Sequence, residues 1–170
     1  MRTRSWHRDD AEFAELLARS YLALIGRKLL PDEHRGVEAA EWLYEAPFGL
    51  LAHDTSPDPL FVYANRRAQR LFGYHLDEFI GLPSRLSAGQ QDRRSREALM
   101  DQVRRHGYAQ GYRGPRVTKD GRPFWIEDVT IWNLVVSDGP PAGQAALIRD
   151  VTYGTSGGPK VSSSGDVQET

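Results

Sequence analysis

The chain has 170 residues, 39% of them apolar and 26% charged, which is the balance of a globular domain able to bury roughly two-thirds of its unfolded surface. A formal net charge of −1 gives no general drive toward nucleic acid or an anionic membrane. The absence of cysteine excludes disulfides, thiolate metal sites, cysteine nucleophiles and a thiol-linked chromophore.

The opening stretch, Met1-Arg-Thr-Arg-Ser-Trp-His-Arg-Asp-Asp10, lacks the apolar segment of a signal peptide. No apolar run approaches the roughly 20 residues of a membrane helix. The expected compartment is therefore the cytoplasm, with no membrane partner. Residues 10–26 place Phe13, Leu16, Leu17, Tyr21, Leu24 and Ile25 at helical spacing, with Gly26 at the end. A second helix is predicted from Val37 to Tyr44, stopped by Pro47 and Gly49. Residues 48–53 and 60–64 read as short strands separated by the turn cluster 54–59. Asn65 then N-caps a helix over 66–72, and Gly73 closes it. His75-Leu-Asp-Glu78 has the outline of a capping box.

A longer amphipathic helix is predicted over 90–106, with Leu99 and Val103 on its apolar side. Its arginines alternate with Asp92, Glu97 and Asp101, a mixed pattern that reads as a solvated face rather than a nucleic-acid surface. Strands 108–118 and 122–135 join through Lys119-Asp-Gly121, a hairpin signal, and a last strand spans 143–152. Residues 154–170 are Gly, Ser, Thr and polar side chains that bury too little apolar surface to order, so a disordered tail is expected. The order predicts an α+β fold: a five-stranded antiparallel sheet, helices over one face, and an N-terminal helical extension. The boundaries are 1–46 for the extension, 47–153 for the domain and 154–170 for the tail.

The stretch Phe61-Val-Tyr-Ala-Asn65, with Leu71-Phe-Gly-Tyr74 and Asp77-Glu-Phe-Ile-Gly81 after it, resembles the opening of a PAS domain. Lys119-Asp-Gly-Arg-Pro-Phe-Trp125 and Arg149-Asp-Val-Thr152 resemble its last two strands. Ser20-Tyr21, Ala52-His53, Pro59–Asn65, Leu82–Arg85 with Ser87-Ala88, Tyr112-Arg-Gly114, Ile126-Glu127, Trp132-Asn-Leu134 and Gly143–Ala146 together carry a narrower resemblance, to the MEKHLA domain, a PAS-like family. It covers roughly residues 13–151 and implies a sensory or regulatory module rather than an enzyme.

In PAS-type domains a pocket lies between the inner sheet face and the helices after the second strand. Strict alternation after the hairpin puts Phe124, Ile126, Asp128, Thr130, Trp132 and Leu134 on one face, and the PAS analogy makes it the inner one. The predicted pocket contacts are then Tyr63 and Trp132 as apolar walls, Arg85 and Asp128 as polar partners, Asn65, and His53 near the mouth. Asp128, buried on this reading, needs a partner, which Arg85 or a ligand would supply. Similarity to flavin-binding LOV domains aligns Gly81–Gly89 with their photoreactive segment. Ser84 stands at the cysteine, Ala88 at one flavin-contacting glutamine and Ile148 at another. A covalent flavin adduct is thereby excluded, and non-covalent flavin or haem is disfavoured.

None of the five histidines has metal-ligand spacing, and no nucleophile elbow or phosphate loop is present. Three functions compete. The first is a sensory or regulatory module binding a small ligand, a protein partner, or both. The second is a ligand-free dimerisation or interaction module, and the third a small enzyme using Asp128 or His53. The apolar stripe of the first helix suits pairing across a homodimer or covering its own sheet.

Overall fold

A computed structural model describes residues 10–90, 93–136 and 139–154. Most of the expected tail, from residue 155, and the first nine residues of the extension lie outside the described residues. Asp10 caps helix α1 (Ala11–Ile25) by accepting from the Phe13 N–H at 3.1 Å, and Gly26 ends it in the left-handed region. Helix α2 (Gly36–Tyr44) follows, then strands β1 (Gly49–His53) and β2 (Phe61–Ala64). Helices α3 (Arg66–Phe72) and α4 (Leu76–Phe79), a 3-10 turn at Ser84–Ser87 and helix α5 (Arg93–His106) lead into strands β3 (Tyr108–Val117) and β4 (Pro123–Leu134). The strand expected over 143–152 is two, β5 (Gly143–Ile148) and β6 (Asp150–Tyr153), broken at Arg149.

The sheet is antiparallel with order β2-β1-β5-β4-β3, and β6 continues the β5 edge alongside β4. β5 lies close against β1: a Cβ on Gly143 would stand 2.5 Å from the His53 carbonyl oxygen, so no side chain fits there. Helices α3–α5 lie over one face as expected, and the N-terminal extension covers the other. α1, with α2 beside it, covers one face over Leu50, Ala52, Val62, Trp132, Leu134 and Leu147. α3, α4 and α5 lie on the opposite side, over Leu51, Phe61, Phe124, Ile126, Val129 and Ile131.

The expectation of strict alternation along β4 is overturned at Asp128. Its φ is +51°, among the described residues the one non-glycine residue in the left-handed region. Asp visits that region more readily than most side chains because its short polar group bonds locally. Phe124 and Ile126 face α3–α5 as predicted, but after Asp128 it is Val129 and Ile131 that face them. Trp132 and Leu134 belong to the core under α1. Neighbouring strands change phase with it. In β3 the register against β4 shifts on both sides of Tyr112, with Gly111 at φ +69°. Between β5 and β6 the core side chains pass from Ile148 to Val151 across Arg149. The slip is shared by β3, β4 and the β5–β6 break while β1 and β5 stay in even register, as one extra residue disrupts the ladder only locally.

Candidate functional site

The six predicted pocket residues are not brought together. Trp132 is wholly buried under α1, with the Tyr21 ring edge-on at 4.9 Å between centroids, and its indole N–H has no hydrogen-bond partner. Tyr63 is buried in the same core against the Phe13 ring at 5.1 Å. Burial, with Tyr44 adding a smaller push, drives the Tyr63 phenol well above its ordinary pKa.

The polar four lie elsewhere. Asp128 is exposed at the bulge. Arg85 is exposed and paired with Asp58 at 3.2 Å, so the expected Arg85–Asp128 pair does not form. His53 is half-buried, its Nδ1 2.9 Å from the Asp54 carbonyl oxygen. Asn65 is fully buried, and its amide is spent within the chain. Its Oδ1 accepts from the Leu50 and Ala68 N–H groups, and its Nδ2 donates to the Leu43 and Phe48 carbonyls, all at 2.9–3.0 Å.

The space between the sheet and α3–α5 is filled by aromatic rings. Phe61 and Phe79, Phe72 and Phe79, and Phe72 and Phe124 meet edge-on at 4.9, 5.6 and 5.2 Å. Phe72, Phe79 and Phe124 are wholly buried, and Ala68, Leu71 and Val103 complete the packing. Edge-to-face contact is the favourable arrangement of such rings.

The opposite face carries the polar links that sequence reasoning missed. The Ser20 hydroxyl accepts from the Val135 N–H at 2.8 Å. Arg149, at the β5–β6 break, donates to the Asp128 carbonyl (3.0 Å), the Thr130 hydroxyl (2.8 Å) and the Tyr21 hydroxyl (3.3 Å). α1 is therefore tied to the bulge itself. On the same sheet face Glu127 is buried, bonded by Arg113 Nε at 2.7 Å and the Thr152 hydroxyl at 2.5 Å. The Arg113 guanidinium stacks 3.9 Å from the centroid of the Trp125 ring.

The signal for these contacts was present but unpaired. Ser20-Tyr21 meets Trp132–Leu134, Arg113 meets Glu127, and Ala52-His53 pairs with Gln144-Ala145. Several of the short motifs that carry the family resemblance are thus partners of one another, and they supply core residues on both sides of the sheet.

A five-membered antiparallel path with helices α3–α5 on one side defines a PAS-like domain, and solved structures agree. A PAS domain from Colwellia psychrerythraea has TM-score 0.57 at 20% identity, covering 66% of this chain and 93% of that one. A light-oxygen-voltage domain studied with a flavin analogue has TM-score 0.55 at 24% identity, covering 68% of this chain and 84% of its own. The LOV domain of a blue-light activated histidine kinase from Erythrobacter litoralis EL346 has TM-score 0.52 at 22%, covering 61% and 94%. At these identities the likeness is one of fold. Within that class, the MEKHLA domain family matches residues 11–153, and the chain belongs to it. No curated protein matches. Among the described residues no helix is long and apolar enough to cross a membrane.

Proposed function

We propose that this MEKHLA domain is a non-enzymatic regulatory module that works by contact with another protein, and that the contact reads the position of α1 on the sheet. The observation that supports the reading is the aromatic packing between the sheet and α3–α5, where the rings of Phe61, Phe72, Phe79 and Phe124 meet edge-on. What then varies is the α1 seam. Phe13 and Leu17 are buried there, each contributing about 1.5–3 kcal/mol by burial, beside the Ser20 and Tyr21 links. A partner with different affinity for α1 seated and α1 raised shifts the balance between the two.

Native mass spectrometry and an absorbance spectrum of the purified protein test this. The reading predicts the mass of the bare polypeptide and absorbance in the aromatic band only. A stoichiometric organic adduct, or a flavin or haem band in the visible, would overturn it in favour of the ligand-binding alternative.

A further inference from the structure

Four side chains stand in one row across the sheet beneath α1. Tyr63 pairs with Ala52, Ala52 with Ala145 and Ala145 with Trp132, one residue from each of β2, β1, β5 and β4. All four belong to the core that α1 covers. At about 4.8 Å between strands the two aromatic ends lie about 14 Å apart, with two alanines as a low floor between them. Large, small, small, large: the row is a trough running across the strands. α1 is its complement. Phe13, Leu17 and Tyr21 fall at i, i+4 and i+8 and span about 12 Å. Phe13 meets Tyr63 at 5.1 Å and Tyr21 meets Trp132 at 4.9 Å between ring centroids. Leu17, wholly buried, stands between them.

The fit is incomplete at one atom. The Trp132 indole N–H is buried without an acceptor. The hydroxyls that α1 brings to this end of the row are engaged elsewhere, Ser20 with Val135 and Tyr21 with Arg149. A buried donor left unpaired disfavours the seated state. The joint of α1 is open as well. Gly26 ends the helix at φ +82°, and a Cβ built there would meet nothing within 4 Å, so no packing opposes a turn at that residue.

We infer that α1 is the autoinhibitory occupant of a helix-binding trough, and that the trough takes in its place an amphipathic helix of another protein. That helix carries large apolar side chains at i, i+4 and i+8, aromatic at the two ends, as α1 does. It differs in offering a hydrogen-bond acceptor to Trp132. This favours it over α1, and over the α1 of a second copy, which would leave the same donor unpaired. The inference rests on the reading that a partner senses whether α1 is seated, and it supplies the chemistry of that partner. The partner's apparent affinity is lowered by the small fraction of molecules with α1 raised, so a change that loosens α1 tightens binding.

A fluorescein-labelled peptide with the sequence of residues 10–26, titrated into the full chain and read by anisotropy, tests the proposal. Saturable one-to-one binding is expected, tightened by about tenfold or more in Leu17→Ala, whose own α1 is less firmly seated. Ser20→Ala, a milder change that removes the Val135 link, is expected to tighten it less. Unlabelled peptides carrying Leu17→Gln, Tyr21→Gln or Leu24→Gln then compete with the probe. At least one is expected to compete more strongly than the parent sequence and to move the Trp132 indole proton downfield, as a new hydrogen bond does. Hydrogen exchange separates the ways of failing. The α1 amides, the Val135 amide and the Trp132 indole are expected to exchange together and ahead of β5. If they exchange only with β5, α1 does not rise on its own, and the reading beneath the proposal falls with it. If they exchange early yet no peptide binds, or no glutamine peptide outcompetes the parent, the proposal alone is overturned. It is overturned too by a wild type that self-associates in sedimentation velocity and sheds the probe as it does so, which would give the trough to a second copy.

Discussion

Asn65 shows how much a single amide can hold. It caps α3, accepts from Leu50 at the start of β1, and ties down the carbonyls of Leu43 and Phe48. Its replacement by Ala leaves buried donors and acceptors without partners and removes a cap. The expected cost is about 2–4 kcal/mol in chemical denaturation. The cap was legible from Asn65 beside the 66–72 helix; the other bonds were not, because Leu43 and Phe48 come from the preceding segment and share no local pattern with it. Tyr63 adds a pH dependence. Its phenol is neutral in the fold and its pKa is raised by burial, so the unfolded chain ionises first, near the ordinary value of 10.0. The stability it contributes is complete below that pH and is lost as pH rises beyond it. Thermal melts between about pH 9 and pH 11 are expected to show wild type losing stability relative to Tyr63→Phe as the medium becomes alkaline. A constant difference would mean that the phenol is already solvated in the fold.

At the scale of elements, α1 and α5 differ in how firmly they are held. α1 buries Phe13, Ala14, Leu17, Ser20 and Tyr21, whereas α5 anchors itself through Val103 and the half-buried Leu99. Opening free energy follows buried contact, so amide hydrogen exchange in α5 is expected to be faster than in α1 by orders of magnitude. The β4 bulge is testable in the same register. Asp128 at φ +51° sits where a β-branched residue is strained. Asp128→Val is therefore expected to cost about 1–2 kcal/mol in stability and Asp128→Gly close to nothing. Most element boundaries were readable from periodicity and caps, the break between β5 and β6 at Arg149 excepted. The phase change was not, since an aspartate inside a strand pattern carries no mark that says whether it adopts extended or left-handed backbone. One unreadable dihedral moved Trp132 from the predicted ligand face to the α1 face.

For the whole molecule, the question was whether the PAS-like interior is hollow. Phe61, Phe72, Phe79 and Phe124 are the residue types that would line a cavity or fill it, and composition cannot distinguish the two. In the structure Phe61, Phe72, Phe79 and Phe124 meet edge-on, and the predicted site residues disperse to the other face, the cap of α3 and the surface. The family placement was legible because its motifs are contacts, Tyr21 with Trp132 and Arg113 with Glu127, and contacts between distant segments constrain sequence at both ends.

The most direct measurement is an aromatic-resolved NOE spectrum of the Trp132 side chain. The account predicts cross-peaks from the Trp132 indole to the Tyr21 ring and none to Phe72 or Phe79. Cross-peaks to Phe72 or Phe79, with none to Tyr21, would put Trp132 on the α3–α5 side and contradict both the bulge at Asp128 and the seating of α1 over Trp132.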